Sequence, residues 1–312
     1  MERIVIPGKA TYTPVALTDV IMGTSALRLV LGATVPGMVL QSVALGYYAG
    51  SAARDWAARW KVRPVDFRAE FDADVDKLDP MPEAERQREV EELARALNAD
   101  YTPARPTRAV MAKKVNERLT AYIAAITDQE VVTSSEVRDF SLAKVMFPFA
   151  LGTCDMISGD VALFRDTGVF EPHVIAHEFC HRKGYFKELH AQALSYLALR
   201  TSGDPVMIQA ARAERLHRQL KILCGDDPSR FDAIVGDLWL RPELRAGISA
   251  LKPAPASGYA DAVGSVMKPL YEKRMQLTGQ NGLSDYDEGF TNFLWTFSRS
   301  ATARRPREHA AV

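Results

Sequence analysis

Residues 174–190 read VIAHEFCHRKGYFKELH and hold three of the chain's six histidines. His173 stands immediately before them. The stretch contains H-E-x-x-H at His177, Glu178 and His181. On a helix, residues four apart lie on one face, about one turn up. His177 and His181 can therefore turn imidazole nitrogens toward one Zn²⁺, with Glu178 on the adjoining face reaching a water at that ion. Two ligands and a general base are the parts of metal-assisted hydrolysis: the ion acidifies water, and the carboxylate takes the proton as a carbonyl is attacked. Val174, Ile175 and Phe179 give the same helix an apolar face. The plainer alternative is a pair of hydrogen-bonded core or surface histidines.

The motif supplies two ligands, and a catalytic zinc site takes three from the protein. Gly184 breaks the helix after HEFCHRK, so a second helix, from about Phe186 to Arg200, can fold back over the first. That helix offers His190 and Glu188. His190 shares a helical stripe with Ala193, Leu194 and Leu197, whereas Glu188 shares one with Gln192 and Ser195. The inward-looking stripe favours His190. Otherwise His190 is a hydrogen-bonded core residue and Glu188 a surface carboxylate. His173 precedes His177 by one turn and stands two turns from His181, which suits a helix-start residue or a contact behind the ligands.

Upstream of the motif, SLAKVMFPF and SGDVALFR are short, partly alternating runs bounded by Gly, Pro and Ser, the pattern of strands or extended segments. Pro172 then opens the motif helix. Between residues 51 and 137 the chain is charged and helical. PMPEAERQREVEELARALNA carries Val90, Leu93 and Leu97 on one stripe and acidic residues in its first turn. After the motif the chain is again helical, broken at GDDPS, KPAPASG and TGQNG. The expected architecture is mainly α with a small mixed sheet, an α+β fold. It divides into an N-terminal segment 1–50, a helical region 51–137 and a zincin-like metallohydrolase domain 138–312.

Residues 29–50, LVLGATVPGMVLQSVALGYYAG, carry no charge over a length that can span a bilayer. Gly32, Pro36, Gly37 and Gln41 weaken that signal, while Tyr47 and Tyr48 suit an interfacial position. The expectation is a membrane helix, single-pass or peripheral, and the basic residues after it place the following domain on the cytoplasmic side. A buried hairpin or core helix is the alternative. Nothing in the chain reads as a cleavable signal peptide.

Lys plus Arg equals Asp plus Glu at 39 each, so no global field draws the chain to nucleic acid. Three cysteines, Cys154, Cys180 and Cys224, are too few and too odd in number for a disulfide framework. Cys180, inside HEFCH, reads as a small buried side chain.

With these residues in view, the sequence resembles a group of uncharacterised bacterial membrane proteins regarded as zinc-dependent peptidases. Their pattern is an apolar N-terminal segment, A-H-E-x-A-H-x-x-G, then E-x-E-A-N. The matching blocks here are AHEFCHRKG and KELHAQALSYLA, with MISGDVALFRDTGVFEPHVI before them and NGLSDYDEGFTNFL near the C-terminus. The similarity covers roughly residues 138–200 and 271–295. It implies that His177 and His181 are zinc ligands and Glu178 the base. The presumed third ligand falls on His190, and the Asn on Gln192. It also places Tyr286 on a late tyrosine, where a phenol can stabilise an oxyanion; a buried, hydrogen-bonded Tyr is the plainer role.

The leading expectation is a membrane-associated zinc metallopeptidase acting on a peptide or protein. The alternatives are a non-catalytic zincin-like scaffold in a membrane-protein complex, and a metal-dependent enzyme that is not a peptidase, with iron or zinc on three histidines.

Overall fold

A computed structural model describes residues 1–8, 34–139, 150–155, 157–225, 227–253, 264–265, 268–269, 272–273, 275–277 and 279–304. Helices dominate it. They are α1 (Val35–Arg59), α2 (Phe67–Phe71), α3 (Glu83–Ala99), α4 (Arg108–Thr127), α5 (Glu171–Arg182), α6 (Glu188–Arg200), α7 (Pro205–Cys224), α8 (Pro228–Asp237), α9 (Pro242–Ser249) and α10 (Glu288–Arg299). Local chemistry sets several ends. Asp204 accepts hydrogen bonds from the Val206 and Met207 N–H groups, Pro205 fills the first turn, and Gly225 closes α7 in the left-handed conformation. Asp66 and Asp227 cap α2 and α8 in the same way.

The strands are short. β1 (Glu2–Val5) runs parallel to β2 (Gln129–Val132), with Glu2 opposite Gln129. β3 (Arg138–Asp139), β4 (Gly152–Cys154) and β5 (Val161–Leu163) form a second sheet in the order β3-β5-β4. β5 is parallel to β3 and antiparallel to β4, so this sheet is mixed, and it packs against α5. Among the described residues, the SGDVALFR run supplies the central strand of this sheet, with β4 at one edge. Residues 141–149, SLAKVMFPF, lie outside the described residues.

One apolar core contains residues from Val65 to Leu294. It takes in Val90, Leu97 and Leu119 from α3 and α4 as well as Ile175, Phe179, Leu194 and Phe293. Residues 51–137 and the chain after 138 thus share a core, and the boundary near 138 marks a change of local structure. The motif helix sits at its centre. Every residue of α5 from Pro172 to Arg182 is buried, enclosed by α4, α6, α7 and the mixed sheet.

The apolar N-terminal segment is described only in part. Residues 29–33 lie outside the described residues, as does the stretch from Pro14 to Arg28. From Val35 the chain is helical, and α1 continues past Gly50 to Arg59. No helix among the described residues is long and apolar enough to cross a membrane. The last turns of α1 are fixed to the rest of the fold: Asp55 accepts from the Gly8 N–H at 3.0 Å, Arg59 donates to the Arg182 carbonyl at 3.1 Å, and Trp56 stacks on Phe186. Its first half is different. Val35, Leu40 and Val43 are 68, 62 and 65% exposed.

Candidate metal centre

Gly184 makes the reversal that builds the site. At φ +104° it takes a backbone conformation that favours glycine. Its N–H bonds to the His181 carbonyl at 2.9 Å, and the Tyr185 N–H to the Cys180 carbonyl at 3.0 Å. This paired pattern is a Schellman turn. The same turn aims the Tyr185 carbonyl back at the helix, where it accepts a hydrogen bond from His181 Nδ1 at 2.9 Å. With its proton on Nδ1, a neutral His181 presents a lone pair on Nε2.

That nitrogen faces two further ligand atoms. His177 Nε2 lies 3.2 Å away, and Glu188 Oε2 lies 3.2 Å from each imidazole. The three atoms form a nearly equilateral triangle. Ligand atoms at roughly 2.0–2.1 Å from a tetrahedral ion stand about 3.3–3.4 Å apart, so the triangle has the dimensions of three vertices of such a site. All three side chains are buried, Glu188 at 4% exposure. A group of three lone-pair atoms out of water is repulsive unless they share a cation. In the absence of a metal that cation is a proton: burial pushes the His181 imidazole down, but Glu188 outweighs burial and raises it to about 9. Burial likewise opposes the Glu188 charge, and the two histidines overcome it, holding that carboxylate well below its ordinary range. The donor set, two imidazoles and a carboxylate, fits zinc with a fourth position left open.

The structure therefore brings Glu188, and not His190, to the histidine pair. Among the described residues, His177, His181 and Glu188 are the group of metal-ligating side chains whose donor atoms converge. His190 instead stacks on Phe67 with ring centroids 4.1 Å apart, and its Nε2 is buried without a hydrogen-bond partner. Burial lowers its imidazole to about 4. An inward apolar stripe singles out His190 only if α6 has one inward face. In fact α6 is buried on nearly every side from Glu188 to Leu199, so both faces look inward and the polar one looks at His177 and His181.

Glu178 is buried beside the triangle, and burial raises its pKa; His177 and His181 oppose that shift. It also receives a hydrogen bond from the Cys154 backbone in β4. A carboxylate shifted upward retains a proton more readily, as a general base must after taking one. The Tyr286 ring lies 6.1 Å from the His177 ring, centroid to centroid. Cys180 is buried, and burial pushes its thiol well above the ordinary range.

Residues distant in sequence support this arrangement. Gln280 accepts from the Glu188 N–H at 2.8 Å, capping the first turn of α6. His173, also buried, has its Nε2 3.2 Å from Ser195 Oγ and its Nδ1 3.9 Å from Glu214. Glu214 accepts from Arg218 at 2.6 Å, Arg218 donates to Asp287 at 2.8 Å, and Lys221 donates to the other Asp287 oxygen at 2.7 Å. Asp287 follows Tyr286, and the Arg218 guanidinium lies 6.0 Å over the Tyr286 ring. These ion pairs, buried at Glu214 and half-buried at Arg218, Lys221 and Asp287, thus fix the segment that carries the tyrosine. Glu214 and Arg218 form an i,i+4 pair within α7, but local sequence patterns give no sign of Asp287, which reaches that helix from a different element.

Comparison with known proteins gives no matching family model, no matching curated protein and no matching solved structure.

Proposed function

We propose that this chain is a zinc-dependent hydrolase, most specifically a membrane-associated metallopeptidase with Glu178 as general base. The observation that carries the reading is the 3.2 Å triangle of His177, His181 and Glu188, with Glu178 one residue from the first ligand. Bound there, zinc would supply Lewis acidity, polarising a substrate carbonyl and lowering the pKa of water. The protein's own part is positional. His181 is held in the ligating tautomer by Tyr185, and Gln280 pins the start of the helix that carries Glu188. Glu178 accepts the proton from the attacking water and returns it to the leaving amine. Tyr286, anchored through Asp287, is the residue assigned to the developing oxyanion. The substrate is an extended peptide laid along β4, which among the described residues is the sheet edge beside α5. The exposed apolar half of α1 supports attachment to a membrane, which covers such a surface from every side.

A second reading, a non-catalytic scaffold that keeps the zincin-like site, is favoured by one observation: none of His177, Glu178, His181 and Glu188 is more than 8% exposed. Zinc-loaded protein incubated with a mixed peptide library separates the two. The peptidase reading predicts cleavage by the wild type, and for Glu178→Gln retained zinc with activity lowered roughly 10²–10⁴-fold. Full zinc occupancy with no cleavage of any peptide supports the scaffold and rejects the peptidase.

A further inference from the structure

The two histidines of the triangle are not equally supported. His181 has an acceptor for its outer nitrogen, the Tyr185 carbonyl. His177 Nδ1 is buried with no hydrogen-bond partner. A histidine that ligates through Nε2 must carry its proton on Nδ1, and metal-bound imidazoles give that proton to a carboxylate, a carbonyl or water. An unpaired buried N–H opposes ligation.

A complementary orphan lies on the facing helix. Gln192 is 2% exposed, and its Oε1 is buried without a hydrogen-bond donor. The contacts between α5 and α6 run in opposite directions: His177 meets Glu188, while His173, one turn earlier, meets Ser195. The helices are therefore antiparallel, and Gln192 lies between Glu188 and Ser195 on the facing stripe. The His173 ring is also hydrogen-bonded to the Gln192 backbone. Side chains on a helix lean toward its own N-terminus. Gln192 thus leans toward the level of His177, and His177 toward the level of Gln192.

We infer that Gln192 is a positioning residue of the metal centre, its amide oxygen accepting the Nδ1–H of His177 when the ion is bound. The inference rests on the metal-centre reading. Pairing the two orphans satisfies both at once and fixes His177 in the ligating tautomer, the role that Tyr185 has for His181. Gln192 touches neither substrate nor metal. It acts through His177.

The test is zinc affinity, measured by competition with a chromophoric chelator, for wild type, Gln192→Met and Gln192→Glu. Methionine keeps the volume and removes the acceptor, and loss of an outer partner of this kind weakens affinity roughly 10–100-fold. Glutamate keeps an acceptor and should restore binding to near the wild-type level. The melting temperature of metal-free Gln192→Met should be unchanged or higher, because an unpartnered carbonyl has been removed. A merely structural role predicts a lower one. On the zinc-loaded wild type, long-range ¹H–¹⁵N spectra should show a slowly exchanging Nδ1 proton on His177; this readout holds even if Gln192→Met fails to fold. Wild type that binds zinc with Gln192→Met equal to it, or a rapidly exchanging Nδ1 proton, overturns the role of Gln192 and leaves the metal centre standing. Wild type that binds no zinc overturns both.

Discussion

Glu214 links the floor of the site to the segment that bears Tyr286, and its titration should be visible in the stability of the metal-free protein. Its carboxylate is buried, which by itself disfavours the charge, but Arg218 at 2.6 Å outweighs burial and draws the pKa down from an ordinary 4.5 to about 2. A carboxylate whose pKa is lower in the folded chain stabilises the fold when both states are ionised. Its contribution is complete above pH 4.5 and is lost as the pH falls toward 2. The difference corresponds to roughly 3 kcal/mol, at about 1.4 kcal/mol for each pH unit. Glutamine cannot ionise, so Glu214→Gln removes this pH dependence while keeping the size of the side chain. Unfolding free energies from urea titrations in a chelating buffer, taken at intervals from pH 6 to 2.5, measure it directly. Between pH 4.5 and 2.5 the wild type should lose most of that roughly 3 kcal/mol more than the variant does. His173 stays in both proteins. Burial lowers its imidazole from 6.5 to about 4, so both also lose stability between those values. Parallel curves for the two proteins below pH 4.5 would refute the claim that Arg218 holds Glu214 ionised.

Two further substitutions address the geometry of the site. Gly184→Ala meets no atom closer than 3.7 Å, so its cost comes from the backbone alone. At φ +104° that cost should be about 1–2 kcal/mol of stability, with weaker zinc binding as the Tyr185 carbonyl shifts; an unchanged unfolding midpoint contradicts the Schellman turn. His190→Leu should bind zinc as wild type does and fold with equal or greater stability, because it replaces a buried nitrogen that has no partner. A large loss of zinc affinity in His190→Leu would restore His190 as the ligand.

Much of the site was legible in the sequence because its first part is local. His177, Glu178 and His181 lie within five residues, and their spacing alone puts them around one point of a helix. Gly184 likewise announced the reversal. The strand at SGDVALFR, beside the motif helix, was legible from its short bounded run. Glu188 stands at the histidine pair where His190 was expected, and the reason is physical. Helical stripes distinguish an inner from an outer face only where a helix has an outer face, and α6 is enclosed. A polar stripe on an enclosed helix points at a site, and Glu188, Gln192 and Ser195 are that stripe. The ion pairs of Arg218 and Lys221 with Asp287 were not legible at all, since they join α7 to a segment more than 60 residues away. The membrane expectation rested on the uncharged run 29–50; among the described residues that run is part of α1, which continues past it into a charged end fixed to the fold.

The central claim is that His177, His181 and Glu188 hold one metal ion. Metal content of the full chain purified without chelator, measured by mass spectrometry alongside Glu188→Ala and His190→Ala, tests it most directly. One equivalent of zinc is expected in the wild type and in His190→Ala, and little or none in Glu188→Ala. A wild-type protein that neither carries nor takes up a metal, or a Glu188→Ala variant that keeps its zinc while His190→Ala loses it, contradicts the account.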